Sequence, residues 1–193
     1  MRIEGIDQYL DNVKATLDRL DRDDLTKFAD ALTKAYEDGK QIFVFGNGGS
    51  GSTASHFCGD FLKGVSYGLD KRFRFLCLND NIPALLAIAN DLSYDDVFVE
   101  QLKNHLRDGD LVIGISGSGN SMNVVKALQY AKENGAVTVA MCGYDGGKII
   151  GMADIHIHAE ITNMEVTEDV HLVVIHCLKT LMKEKLKNRQ ISC

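Results

Sequence analysis

Residues 41–52 read QIFVFGNGGSGS: five residues rich in β-formers, Gln41 to Phe45, run without a break into glycine and serine. A short apolar run bounded by turn residues is the pattern of a buried strand. The loop after it (Gly46, Asn47, Gly48, Gly49, Ser50, Gly51, Ser52) leads into a stretch that reads as a helix, Thr53–Lys63. Glycines let the backbone turn tightly and approach a ligand, and the helix start presents N–H groups that have no intrahelical partner. Together they make an anion site. About seventy residues later the arrangement recurs. Asp110–Ile115 (DLVIGI) is a buried strand, Ser116-Gly117-Ser118-Gly119-Asn120-Ser121 is the loop, and Met122–Asn134 is the helix. One such loop is weak evidence; two, both dense in hydroxyls, are much stronger.

Outward from these loops the chain alternates strands and helices. Ile6, Leu10, Val13, Leu17 and Leu20 recur at helical spacing, as do Leu25, Phe28, Ala29, Leu32 and Tyr36, with Gly39 as a stop. Phe73–Leu78, Ala136–Cys142 and Asp154–His158 read as strands. Pro83 suits the first turn of a helix, and residues 164–187 form a long last helix with Val166, Val170, Val173, Val174 and Leu178 as its apolar side. Alternating elements imply an α/β fold, a central parallel sheet covered on both faces. The whole chain, 1–193, fits a single domain whose first 38 residues are a helical arm, either an oligomer contact or a cap on the sheet.

The net charge of −6 argues against non-specific binding to nucleic acid or anionic membrane. No apolar run approaches the ~20 residues of a membrane span, and the N-terminus has no apolar leader segment. Five scattered cysteines without a C-x-x-C pair suit buried thiols in a reducing compartment. These features describe a soluble cytoplasmic protein.

Three readings of the loops compete. Gly46, Gly48 and Gly51 match the spacing of a dinucleotide-binding turn, with Asp80 as its acidic partner, but that reading leaves the second serine loop without a role. A nucleoside triphosphate loop fails because Gly147-Lys148 is followed by Ile149. A monophosphate held by Ser50, Ser116, Ser118 and Ser121 accounts for more residues than either, or than plain turns.

GNGGS at 46–50, AIAND at 87–91, GISGSGNS at 114–121 and GYDGGK at 143–148 resemble, in order and spacing, the sugar isomerase (SIS) domain family, and within it the sedoheptulose 7-phosphate (phosphoheptose) isomerases. The resemblance covers nearly the whole chain. It implies a flavodoxin-like three-layer α-β-α sandwich, a homotetramer, and a zinc or other divalent metal ion, one per subunit. It also implies that Asn47, Gly48, Gly49 and Ser50 contact substrate, that Ser116, Gly117, Ser118 and Ser121 bind phosphate, and that Asn90 and Asp91 line the sugar site. An aldose–ketose isomerisation in heptose synthesis for lipopolysaccharide or capsule is the activity implied. Isomerisation of another surface-glycan sugar phosphate is an alternative, as is a sugar-phosphate sensor or a scaffold for a replication initiator.

His56 and Asp60, four residues apart, share a helix face and together suit a divalent metal. From Ser50 to His56 a helix rises roughly 9 Å, about the length of an extended sugar phosphate. On the last helix, periodicity alone does not choose among Glu165, Glu168, Asp169, His171 and His176. The resemblance singles out Glu168 and His176, giving the metal set His56, Asp60, Glu168 and His176, with Glu168 also among the substrate-binding residues, and the acid–base pair Asp60 and His176. Two residues depart from the family's pattern: Asp60 stands where it has Glu, and Glu168 where it has Gln. Val166 also replaces an expected arginine. His105, His156 and His158 read as structural.

Overall fold

A computed structural model describes residues 4–191. Two helices lead, α1 (Glu4–Arg19) and α2 (Arg22–Asp38). Asp21 caps α2 by accepting from the N–H groups of Asp23 and Asp24, and Gly39 ends it in the left-handed conformation. Five strands follow: β1 (Gln41–Gly46), β2 (Arg74–Cys77), β3 (Leu111–Ser116), β4 (Val137–Gly143) and β5 (Ile155–Ala159). They form one parallel sheet in the order β2-β1-β3-β4-β5. Between them run α3 (Gly48–Gly59), α4 (Ile82–Asp91), α5 (Val99–His105), α6 (Met122–Glu133) and the short α7 (Gly147–Ile150); α8 (Met164–Ile191) closes the chain.

Each sheet face carries its own apolar cluster, one against α2, α3 and α8, the other against α5 and α6. This is the three-layer sandwich expected. The order also decides where a ligand goes. From the β1–β3 pair the chain turns outward both ways, and in such sheets the crevice beyond the strand C-termini at that switch point is the ligand site. The two Gly/Ser loops follow these two strands, so loops far apart in sequence stand side by side.

The helical arm is in part a cap: Phe28, Ala29 and Leu32 of α2 are buried in the core. In α1, Ile6 and Leu10 remain about half exposed. Val173, expected on the core stripe of α8, is exposed instead: the buried stripe runs through Val166, Val170, Val174, Leu178 and Met182, with Ile175 rather than Val173 beside it. The α3 helix begins at Gly48, five residues before Thr53, and ends in one turn of π-helix, Asp60–Val65. Phe57 and Phe61 flank that junction, fully buried and packed edge to face at 5.0 Å, which fixes the intervening residues against the sheet.

Candidate functional site

A cavity of about 240 Å³ opens at the switch point, lined by Asn47, Gly48, Gly49, Ser50, Ser116, Gly117, Ser118, Ser121, Met164 and Glu168. Its donors are left free by the local structure. Asn47 and Ser121 occupy the N-cap positions of α3 and α6, and both are of types that normally cap, yet neither side chain does so. Asn47 is drawn aside into a reciprocal amide pair with buried Asn123, 2.9 Å each way, and accepts from Tyr94 Oη at 2.9 Å. The Ser121 hydroxyl pairs with that of Ser116 at 3.1 Å. By contrast α2 and α4, away from the cavity, are capped by Asp21 and Asn81. Two adjacent helix N-termini therefore face one cavity with no cap from their N-cap side chains, although the Val124 N–H of α6 is taken by Asn123 Oδ1 and the Ser121 carbonyl, and their dipoles favour an anion there.

The residues 143–148 buttress this loop. Gly119 has φ +66°, and a Cβ on it would stand 2.0 Å from the Gly146 carbonyl oxygen, so only glycine fits. The backbone N–H groups of Lys148 and Ile149 donate to the Gly119 carbonyl. Lys148 thus serves through its backbone, as a turn element.

At the other end of α3, His56 Nε2, His176 Nε2 and Asp60 Oδ2 converge, separated by 2.9, 3.4 and 3.8 Å. Donors around a tetrahedral ion with metal–ligand distances near 2.0–2.1 Å lie roughly 3.3 Å apart, so the set fits a divalent metal. Asp60 Oδ2 is buried without a hydrogen bond, a lone acceptor aimed at the two imidazoles. Its other oxygen, Oδ1, accepts from Lys179 Nζ at 2.5 Å. Glu168 does not join this group. Two turns before His176, its carboxylate lies against Gly49, where a Cβ would be 2.2 Å away, and it faces the serine cavity. Burial, then the charges of Glu165 and Asp169, raise its pKa.

The structure does not bring every expected residue to the site. Asn90 and Asp91, at the end of α4, are exposed, hydrogen-bond to one another at 2.8 Å and are not among the cavity's lining residues. Val166 is buried in the core and offers the cavity nothing. Asp80, weighed as a ribose ligand, accepts from Ser55 Oγ at 2.6 Å. His158 bonds the Tyr144 carbonyl, and His105 lies at the far end of the sheet. Burial pushes the Cys77 and Cys142 thiols up to about 12, so neither is a nucleophile; Cys193 lies outside the described residues. Asn123, Tyr94 and Lys179 were not anticipated.

A family model described as the SIS domain matches residues 8–143. A probable phosphoheptose isomerase of Thermoplasma acidophilum is 35% identical over 178 residues, covering 92% of this chain and 97% of that protein. A phosphoheptose isomerase of Halorhodospira halophila is 35% identical over 186 residues, 92% of each. Among solved structures, the phosphoheptose isomerase GmhA from Neisseria gonorrhoeae superposes with a TM-score of 0.86 at 27% identity, covering 94% of this chain and 96% of that one.

Proposed function

The chain belongs to the SIS domain family, and from that membership and the geometry of its site we propose that it interconverts an aldose and a ketose phosphate, sedoheptulose 7-phosphate and D-glycero-manno-heptose 7-phosphate. The observation that carries this is the pair of uncapped helix N-termini around four serines. They would hold the phosphoryl group, so that binding energy remote from the reacting carbons serves the chemical step.

His56, Asp60 and His176 would hold a zinc or similar ion, which when bound would polarise the substrate carbonyl and offset the charge that develops on its oxygen. Asp60 and His176 would act as the acid–base pair through atoms not given to the ion: one takes the proton from the carbon beside the carbonyl, giving an enediolate, and the other returns a proton to the neighbouring carbon. Buried Ser50 and Ser116 and the Asn47–Asn123 pair keep the sugar in register. Apolar residues left exposed on α1 (Ile6, Leu10) and α8 (Val173, Leu181) support assembly into a homotetramer.

The test is solvent deuterium exchange into sedoheptulose 7-phosphate, followed by NMR. Wild-type protein should exchange the proton and form aldose, and Asp60→Ala and His176→Ala should each lose the exchange. Full exchange in both variants removes the acid–base assignment.

A further inference from the structure

We propose that Lys179 is a positioning residue for this reaction: it pins Oδ1 of Asp60 so that Oδ2 alone faces the two imidazoles. The inference rests on the isomerase reading of the same site. Terminal carboxylate torsions are broad and roughly two-fold, so an untethered Asp60 exchanges its two oxygens freely. Lys179 Nζ stands 2.5 Å from Oδ1, with both side chains largely shielded from water, 14% exposed for Asp60 and 29% for Lys179. A charge-assisted bond in such surroundings is short, directional and hard to replace by solvent. Among the described residues Oδ2 makes no hydrogen bond and lies 3.4 Å from His56 Nε2 and 3.8 Å from His176 Nε2.

Two local features make room for the lysine. The helix widens into a π turn starting at Asp60, in which the Ser66 N–H donates to the Phe61 carbonyl five residues back. Such single π turns recur at functional sites. Position 64, on the same face one turn on, is glycine. A Cβ there would stand 3.0 Å from Lys179 Cε and 3.5 Å from its Nζ, so the lysine stem lies closely over a position with no side chain. Lys179 itself follows His176 by one turn, so α8 sets the imidazole and the ammonium together.

Groups that orient a ligating side chain typically change activity or metal affinity by about 10- to 100-fold when removed. Lys179→Met keeps the buried stem and deletes the charge. It should lower kcat by about 10- to 100-fold with KM within roughly twofold, because the phosphate cavity is untouched. Independently of any substrate, zinc affinity measured by chelator competition should fall by a similar factor, and the visible spectrum of the cobalt(II)-loaded protein should change. Lys179→Arg, which retains a cation, should recover part of both signals. If wild-type protein turns over no sugar phosphate, the isomerase reading fails while the zinc and cobalt measurements still judge the lysine. Unchanged zinc affinity and an unchanged cobalt spectrum in Lys179→Met overturn the proposal. So does a kcat loss that Lys179→Arg fails to relieve.

Discussion

Replacing Glu168 by Gln should tighten binding of a sugar phosphate. The carboxylate borders the same cavity as the four serines, and Glu165 and Asp169 already oppose its ionisation, so a further negative charge beside it is unwelcome. A cavity of about 240 Å³ has the volume of a sphere about 4 Å in radius, which sets a bound phosphoryl group roughly 6 Å from a carboxylate on its wall. In a water-like medium each pair of unit charges at that separation repels by about 0.7 kcal/mol, and a phosphate monoester carries nearly two charges. Gln keeps the volume and removes about 1.4 kcal/mol of repulsion, a tenfold gain in affinity. Steady-state kinetics across the neutral and mildly acid range provide the assay. At neutral pH the KM of Glu168→Gln should be about tenfold below wild type. The gap should narrow as pH falls, because the raised pKa lets wild-type Glu168 take up a proton before an ordinary carboxylate would. An unchanged or higher KM for Glu168→Gln at every pH would refute the placement of the phosphate.

Gly119→Ala should cost about 2–4 kcal/mol in urea unfolding, since it combines a left-handed backbone with a collision against the Gly146 carbonyl; a cost under about 0.5 kcal/mol contradicts the buttress. His171 is buried and bonds the Cys142 carbonyl, and burial pushes its pKa down from 6.5 to about 4. The unfolded chain binds a proton that the folded one refuses. Stability should therefore be full above about pH 6.5, fall by roughly 3 kcal/mol through that window and level off below about 4; urea titrations of His171→Gln should show a shallower slope. Phe61→Ala, which removes the ring beside Asp60, should destabilise the fold by about 3–5 kcal/mol by calorimetry. Chelation should lower the melting temperature of wild-type protein and leave His56→Ala unmoved, and equal shifts in both would remove His56 from the metal set.

The sheet was readable because strands buried on both faces, such as Val44 and Ile113, leave unbroken apolar runs that no exposed element mimics. Boundaries set by tertiary contact were not. Gly48 to Ser52 reads as loop from propensity, yet it is helical, and the Glu168 carboxylate packs so closely on Gly49 that a side chain there would collide with it. The seven residues of α5 carry too short a period to register, although Val99 and Leu102 are buried. At the site, the serines announced themselves through composition. Asn123 did not, since a lone buried amide has no periodic signature until its partner, Asn47, is brought to it across the sheet. Lys179 likewise acquires meaning only when α8 packs on the π turn and meets a residue 119 positions earlier.

On the proposed reading, two helices set the distance between phosphate and chemistry, and they do so independently. Along α3, six residues separate Ser50 from His56, a rise of roughly 9 Å; along α8, eight residues separate Glu168 from His176, roughly 12 Å. Each helix carries one group at the serine cavity and one at the His–Asp–His cluster, so the groups meet at both ends only while α3 and α8 keep their relative position. That position is held by core residues, among them Phe57, Val170 and Val174, none of which reaches the cavity or the cluster. A slip of one helical turn, about 5.4 Å, would part His176 from His56 while leaving the phosphate loops intact. Substrate length is therefore governed by how two helices pack in the core, and substitutions there should alter kcat between sugars of different length before they alter phosphate affinity.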